Sequence, residues 1–200
     1  MTQPALAEAP VAARPPAGRY VADVNHSSLL WRIKHLALAW YTGRFRQFSI
    51  DLDFDPDRPE NNRVRAVVGL ASVRTEYTGS DKDWDQELSE SAHFLDSGTA
   101  PQATFVSTVV RPTGEHRADV DGELTFRGLS RPVTLHATYN GAMTDHPSGR
   151  AMVGFSAVGV IRRSEFGLTF ALGPRMPDEV QIIIEAELAL APAAQASQER

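Results

Sequence analysis

One stretch decides the fold: Arg117-Ala118-Asp119-Val120-Asp121-Gly122-Glu123-Leu124-Thr125-Phe126, continued after a short turn by Val133-Thr134-Leu135-His136-Ala137-Thr138-Tyr139-Asn140. Apolar or small residues alternate with polar residues through both halves. Because successive side chains of a β-strand point to opposite faces, each half has one apolar face and one wet face. Between the halves, Gly128 tolerates positive φ, and Pro132 fits only the first residue or the edge of a strand. The sequence therefore predicts a β-hairpin with one apolar face.

Similar alternation recurs along the chain, with turn signals such as Asp55-Pro56-Asp57 between the strands. With the hairpin there are eight candidate strands at short spacing, which is typical of an antiparallel sandwich or an up-and-down barrel. The candidates outside the hairpin are residues 29–35, 48–54, 64–70, 103–110, 151–161 and 179–190. The alternation also predicts which side chains face inward (Leu124, Phe126, Val133, Leu135, Phe155 and Ile182) and which face outward (Glu123, Thr134, His136 and Glu185).

Residues 80–92 depart from the strand pattern. They lack β-branched residues and begin Ser80-Asp81-Lys82-Asp83, an N-cap followed by the acidic residues of a first turn. Trp84 and Leu88 are four residues apart, so they share one face of a helix. We predict a short helix here, with this pair facing down to close one end of a barrel.

Composition excludes several classes of protein. A chain of 200 residues that is 42% hydrophobic suits one domain with a core large enough to be stable unaided. The chain has no Cys, which excludes disulfides, thiolate catalysis and Cys-based metal sites. A formal charge of −5 argues against nucleic-acid binding, and no apolar run is long enough to span a bilayer. The six His residues form no pair with metal-ligand spacing, so we expect neither a metal nor another cofactor.

The two ends of the chain differ in composition from the middle. Residues 1–19 are rich in Pro and Ala and lack the basic start and unbroken apolar stretch of a secretory signal. Residues 191–200 are mainly Ala, Gln and Ser. We expect a disordered leader over residues 1–19, one folded unit over residues 20–190, a disordered tail over residues 191–200, and a cytoplasmic protein.

Two polar residues are candidates for a binding site. His35 shares a predicted strand face with apolar neighbours and so points inward, either as a core histidine bonded to a backbone carbonyl or as an anchor for a ligand head group. Arg163 directly follows a predicted strand, where it either ties loops together through its fork of donors or contacts a ligand. The inward aromatic residues leave the same choice, since in a barrel they either fill the interior or line a cavity.

Six short motifs stand in order along the chain. They are Tyr20-x-x-Asp23-x-x-His26-Ser27, Lys34-His35-Leu36, Gly43-Arg44-Phe45-x-x-Phe48, Pro101-x-Ala103-Thr104-Phe105, the hairpin residues from Gly122 to Leu135, and Arg163-Ser164-Glu165-Phe166-Gly167. Together they resemble the YceI-like family of lipocalin-like, polyisoprenoid-binding proteins, and the resemblance covers residues 20–188.

The resemblance implies an eight-stranded antiparallel lipocalin-like barrel with a helix-bearing insertion near its mouth. Its long apolar pore would hold an isoprenoid or a similar amphiphile, such as a quinone precursor, a fatty amide or a fatty acid. Some members are dimers, which makes a homodimer one option for this chain. Two features depart from the family: residues 82–91 lack the usual basic character and contain Trp84, and residues 1–19 lack the export signal of many relatives.

These observations predict a protein that binds and carries or sequesters a long apolar amphiphile, and that touches a membrane only transiently. Two alternatives stay open: an enzyme acting on an apolar substrate with His35 as general base, and a filled barrel with a structural or stress-related role. The predicted ligand-binding residues are Trp31, Ile33, His35, Phe45, Trp84, Leu88, Phe105, Leu124, Leu135, Phe155, Arg163 and Phe166.

Overall fold

The computed structural model describes residues 14–79 and 81–192, which consist mainly of β-strands. Most of the predicted leader and tail, and Ser80, lie outside the described residues. The first strand begins at Gly18, slightly before the predicted start of the folded unit, and the last strand ends at Leu190.

The described residues form eleven strand segments and one α-helix. The segments are β1 (Gly18–Ala22), β2 (Ser28–His35), β3 (Ala39–Phe45), β4 (Phe48–Phe54), β5 (Arg63–Gly69), β6 (Val73–Arg74), β7 (Gln102–Gly114), β8 (Arg117–Phe126), β9 (Leu129–Met143), β10 (Met152–Arg162) and β11 (Glu179–Leu190), and the helix α1 is Trp84–Glu90.

These segments close into an antiparallel barrel. The barrel has eight strands and not eleven, because three of its strands are each interrupted and so consist of two segments. β1 and β2 follow one another along β11; β4 pairs with β1 and β3 with β2, while β5 and β6 pair in turn with β4 and β3. The order continues through β7, β8, β9, β10 and β11, and the pairing of β1 with β11 closes the ring. The predicted eight-stranded antiparallel barrel is confirmed, and the sandwich is excluded.

The hairpin of β8 and β9 is tighter than predicted. Its turn consists of only Arg127 and Gly128, whose φ angles are 52° and 74°. Two residues with positive φ form the type I′ turn, whose twist matches that of the flanking strands. Pro132 therefore lies inside β9 and not at the start of a strand. It is tolerated there because β9 is locally an edge, since its pairing with β10 begins only at Leu135.

The predicted facing of the side chains is confirmed. All six residues assigned to the interior border the inside of the barrel. Glu123, His136 and Glu185 are exposed, and Thr134 donates a hydrogen bond to Asp121 on the outer face. Strict alternation thus fixes the register, because a slip of one residue would turn every side chain to the opposite face.

The barrel has two different ends. The helix end carries α1, the β2–β3 turn, the β8–β9 turn and the loop of residues 163–178 between β10 and β11. The terminus end carries the start of β1, the end of β11 and the loops of residues 55–62 and 144–151.

α1 is shorter than the predicted helix over residues 80–92. Its N-cap is Asp83, whose carboxylate accepts a hydrogen bond from the Gln86 amide, and the helix ends at Glu90. The Asp85 carboxylate accepts hydrogen bonds from the amide and the hydroxyl of Thr75, at 2.8 and 2.7 Å. Arg127 donates to backbone carbonyls of the segment after the helix. These contacts hold α1 against the helix end of the barrel.

Two clusters of buried apolar residues lie toward opposite ends of the barrel. The cluster at the helix end includes Leu70, Val73, Leu88, Phe126 and Phe166, and the cluster at the terminus end includes Tyr20, Leu52, Phe54, Val153 and Leu188. Phe48 and Ile184 are partly buried and pack against both clusters. The space between the clusters is the interior of the barrel.

Candidate ligand-binding site

The barrel encloses an elongated cavity of about 1300 Å³. Pockets for drug-sized ligands occupy about 300–1,000 Å³, so this cavity has room for a larger guest. Its wall follows β11 from Val180 to Leu188. At about 3.4 Å per residue this distance is roughly 27 Å along the strand. With a strand tilt of about 35–45° the cavity is about 20 Å long along the barrel axis.

The wall is apolar over the middle of the barrel, where it is formed by side chains such as Val120, Leu135, Ala157 and Ile184. The polar side chains of the wall lie toward the two ends. They are His35, Tyr41, Tyr77, Lys82, His93 and Arg163 at the helix end, and Asp55, Asn62, Arg63, Glu115, His116, Arg117 and Tyr139 at the terminus end. An apolar chain with a polar head is the kind of molecule that matches this distribution.

Eleven of the twelve predicted ligand-binding residues border this cavity. They are Trp31, Ile33, His35, Phe45, Trp84, Leu88, Phe105, Leu124, Leu135, Phe155 and Arg163. Phe166 does not. It is only 1% exposed and packs against Phe126 with ring centroids 5.5 Å apart. The reason is the 3-10 turn Arg163–Phe166 that follows β10, which folds this ring into the core beside the cavity. That the eleven residues contact a ligand stays a prediction.

His35 lies at the rim of the cavity. It is the last residue of β2, its side chain is exposed, and its ring centroid is 6.4 Å from that of Tyr41. Among the described residues its imidazole has no hydrogen bond or ion pair. The interpretation of His35 as a buried core histidine bonded to a carbonyl is wrong, because β2 carries it past the packed layers. A general base also needs a partner that orients it, and no described side chain holds His35 in this way.

Arg163 is buried and bonded to backbone. Its guanidinium donates to the carbonyl oxygens of Pro177, Met176 and Phe170 at 3.0–3.3 Å. Burial lowers the pKa of Arg163, and the nearby charge of Asp178 acts in the opposite direction. The residue thus ties the start of the loop of residues 163–178 to its end, as predicted for an arginine that joins loops.

Aromatic side chains cover the helix end of the cavity. Trp84, at the start of α1, packs edge-on against Phe94 with centroids 5.6 Å apart, and Tyr77 lies 6.4 Å from Trp84. Phe170, from the loop of residues 163–178, lies 5.6 Å from Phe94. Two separate segments therefore meet over this mouth. The predicted position of Trp84 and Leu88 at one end of the barrel is where the structure places them.

Three inward-facing glycines shape the wall, and sequence reasoning missed them. A Cβ atom on Gly43 would overlap the indole of Trp31, and one on Gly122 would overlap the ring of Phe105. At Gly159, the added Cβ would lie 2.6 Å from Cδ2 of Leu135. In each case a large side chain of the neighbouring strand occupies the space that a Cβ atom on the glycine would need. The available signal was glycine inside an alternating strand, which often marks close approach.

Tyrosines mark both ends of the barrel. Near the helix end, the hydroxyl of Tyr41 is buried and has no hydrogen-bond partner among the described residues. Near the terminus end, burial raises the pKa of Tyr139, which lines the cavity. Burial, and then the charge of Tyr139, raise the pKa of Tyr20. Unlike that of Tyr41, the Tyr20 hydroxyl has a partner, the carbonyl oxygen of Pro16 at 2.8 Å.

The described residues hold no group of three or more His, Cys, Asp or Glu side chains arranged to bind a metal ion. None of the helices in this part of the chain has the length and apolar character needed to cross a bilayer.

A closed eight-stranded antiparallel barrel around an apolar cavity is the architecture of lipocalins, which hold one small ligand inside. The chain belongs to the YceI family, since the model of the YceI-like domain matches residues 20–188. It is 37% identical over 163 residues to the YceI proteins of Salmonella newport and Escherichia coli O6:H1, an alignment that covers 82% of this chain and 81% of each relative. The resemblance seen in the sequence is confirmed.

Solved structures show the same fold. The crystal structure of Burkholderia cenocepacia BcnA is 28% identical, with a TM-score of 0.69 over 85% of this chain and 99% of that chain. The YceI protein of Campylobacter jejuni is 27% identical, with a TM-score of 0.69 over 80% of this chain and 91% of that chain. A polyisoprenoid-binding domain from Saccharophagus degradans is 15% identical, with a TM-score of 0.62 over 88% of this chain and all of that domain. At that identity the likeness concerns the fold.

Proposed function

We propose that this protein binds one long apolar amphiphile, such as an isoprenoid, inside its barrel and carries or sequesters it. The observation that carries the proposal is the cavity of about 1300 Å³, whose middle is lined by apolar side chains and whose polar side chains lie toward its ends. The polyisoprenoid binding of the Saccharophagus degradans domain, which has the same fold, supports this class of guest.

The shape of the cavity suits the energetics of lipid transfer. A chain inside a bilayer is already shielded from water, so a carrier must bury it about as completely. Each methylene left in water forfeits about 0.8 kcal/mol, so eight poorly shielded carbons would forfeit roughly 6 kcal/mol. A shallow groove incurs this loss, whereas a continuous enclosed wall avoids it.

A binding role fits the described side chains better than catalysis does. His35, the predicted general base, lies at an exposed rim without an orienting partner. The guanidinium of Arg163 donates its hydrogen bonds to backbone carbonyl oxygens. The middle of the cavity, where the longest part of a guest would lie, is formed by side chains without acid–base chemistry.

The direct test is to extract freshly purified protein with organic solvent and to identify the released lipids by mass spectrometry. We expect one class of long-chain amphiphile, in an amount close to one molecule per chain. Protein that releases no lipid and fails to take up any added isoprenoid or long-chain alcohol would contradict the proposal.

A matched pair of variants makes the test specific. Ala157 faces the cavity, while its neighbour Val158 faces outward and is 39% exposed. Ala157→Trp places an indole in the lumen and should reduce the extracted lipid severely, whereas Val158→Trp should leave it unchanged. Circular dichroism of both variants checks that the barrel has formed. Equal lipid content in the two folded variants would place the lipid outside the barrel.

A further inference from the structure

The outer face of β2, β3 and β6 carries basic residues close to the helix end of the barrel. Arg32 and Lys34 are outward residues of β2, Arg44 is an outward residue of β3, and Arg74 is the outward residue of β6. Arg44 and Arg74 stand directly opposite one another in the sheet. Like charges placed in this way repel each other, and an anion that binds both relieves the repulsion. We call these four residues the basic face.

The basic face stands out in a chain whose formal charge is −5. The outward residues of β2 and β3, all of which the structure describes, include no Asp or Glu. On the neighbouring strands, Glu179 faces Arg162 at 4.0 Å, and beyond β6 Glu76 lies 3.4 Å from Arg46. Arg32 bonds to the uncharged side chain of Gln181. Glu185, which stands opposite Ser28 on the adjacent β11, accepts a hydrogen bond from Ser156. Among the described residues, no carboxylate forms an ion pair with any of the four side chains of the basic face.

An exposed apolar tip projects next to the basic face. The turn between β2 and β3 exposes 43% of Leu36 and 81% of Leu38, and Trp40 just after it is 46% exposed. Leu36 and Ala37 have φ angles of 54° and 60°, a region that bulky residues rarely occupy. The chain thus exposes Leu36 and Leu38 to water, on a turn in which Leu36 and Ala37 adopt an unfavourable backbone conformation.

Trp40 joins the tip to the basic face. The guanidinium carbon of Arg32 lies 4.5 Å from the centroid of its ring and the ammonium of Lys34 lies 4.9 Å from it. Tryptophan and long cationic side chains are the residues that settle at the boundary between lipid head groups and acyl chains. Apolar side chains that point beyond them reach the acyl region.

The position of the tip relates it to the cavity. His35 and Tyr41, which flank the turn on the inner face of the same two strands, border the cavity at its helix end. A surface in contact with Leu36 and Leu38 therefore lies beside the mouth covered by Trp84 and Phe170.

We propose that the β2–β3 tip and the basic face dock this protein onto an anionic lipid bilayer, with the helix end of the barrel against the membrane. The leucines insert among the acyl chains, Trp40 lies at the interface, and the four basic side chains contact lipid phosphates. The net negative charge of the chain repels the same membrane, so only this face approaches it. Docking goes beyond the proposed function, and it does not depend on which guest is bound.

Co-sedimentation of the full chain with vesicles tests this docking. We expect binding to vesicles that contain phosphatidylglycerol, weaker binding to pure phosphatidylcholine, and a decrease at higher ionic strength. Each cation near an anionic surface contributes about 1 kcal/mol, so Lys34→Gln with Arg44→Gln should weaken binding by about tenfold or more. Leu36→Ser with Leu38→Ser should weaken binding to both kinds of vesicle.

Two control variants match these changes elsewhere on the barrel. Arg19→Gln with Arg65→Gln makes the same change of charge on outward residues near the terminus end. Val106→Ser with Val109→Ser removes two apolar side chains of β7 that are 44% and 46% exposed. Both controls should bind vesicles like the unmodified protein. Equal loss in a control and in its matched variant would show a general charge or surface effect and would overturn the proposal.

Two further outcomes would also overturn it. One is that the unmodified protein does not bind anionic vesicles. The other is sedimentation of the protein as a dimer that the Leu36→Ser, Leu38→Ser variant separates, which would make the tip a contact between two copies of the chain. Uptake of an added long-chain alcohol in solution, without vesicles, is measured in parallel. If the unmodified protein binds anionic vesicles but takes up no long-chain alcohol, the carrier function is refuted and the proposed docking stands.

Discussion

The indole of Trp31 lies across the backbone of Gly43 on the neighbouring strand, where the two residues are directly paired. A ring that lies flat on the wall takes little room from the lumen, and only glycine permits this approach. Because of this contact, the absence of a side chain at Gly43 determines the width of the cavity.

Gly43→Ala should push the Trp31 ring toward the lumen. We expect a loss of about 1–3 kcal/mol in the free energy of unfolding, as for other overpacked sites, together with weaker guest binding and a changed tryptophan emission. Urea denaturation and ligand displacement measure the two effects. Gly154→Ala is the control, since its added Cβ would meet Asn140 at an ordinary 3.5 Å. If Trp31→Phe fails to restore binding in the Gly43→Ala background, the contact does not set the width.

Arg163→Ala should lower the free energy of unfolding by about 1–3 kcal/mol, because it leaves the carbonyls of Pro177, Met176 and Phe170 buried without a donor. Arg163→Lys should not restore the loss, since one ammonium lacks the planar fork of the guanidinium. The adjacent Arg162 is exposed and pairs with Glu179 at 4.0 Å, so Arg162→Ala should change stability by less than about 0.5 kcal/mol. Chemical denaturation compares them. An unchanged midpoint for Arg163→Ala with lost binding would make Arg163 a ligand contact.

Removal of two tyrosine hydroxyls should affect stability differently. Tyr41→Phe removes a buried hydroxyl without a partner and should raise the thermal midpoint of the lipid-free protein or leave it unchanged. Tyr20→Phe removes the donor to Pro16 and should lower stability by about 1 kcal/mol. Calorimetry of the delipidated proteins measures both. A clear loss of stability in Tyr41→Phe would mean that its hydroxyl is hydrogen-bonded in solution, for example to water.

Asp178 should make the stability of the helix end depend on pH in the acid range. Burial acts to raise the pKa of this carboxyl, but hydrogen bonds from Ser164 and the charges of Arg163 and Arg162 outweigh it, so the pKa lies below 3.8. A depressed pKa in the folded state means that the charged form stabilises the fold above the unfolded pKa. This stability is lost as the pH falls through the folded pKa.

The expected result is a difference in unfolding free energy between the unmodified protein and Asp178→Asn that is constant near neutral pH. This difference should shrink as the pH drops below 3.8. Urea denaturation at a series of pH values measures it. A difference that grows on acidification would have the wrong sign and would contradict the assignment.

The alternation of apolar and polar residues was enough to predict most of the barrel. The alternation predicts the register of β8 and β9 because each strand has one polar face and one apolar face. It misses β1 and β6, which are too short to show a period. It also misses β3, whose residues Ala39–Phe45 include Trp40 on the wet face and Gly43 on the dry one.

The site was predictable in outline but not in its polar details. Every second residue of a strand faces inward, which is why Trp31, Phe105 and Leu135 border the cavity. Beyond the end of a strand, this alternation no longer predicts where a side chain points. Phe166 leaves the wall through a 3-10 turn, and His35 passes beyond the packed layers at the end of β2. Whether a hydroxyl such as that of Tyr41 finds a partner depends on segments distant in sequence.

The two hydrophobic clusters at opposite ends of the barrel have a consequence for its thermodynamics. Most domains of this size fold around dense packing at their centre, whereas the described residues leave the centre of this barrel open. A guest that fills the space completes the packing and binds only the folded chain. At a free concentration a hundredfold above Kd it would add about 2.7 kcal/mol to the folding equilibrium. The melting temperature of the protein would then report the concentration of free guest around it.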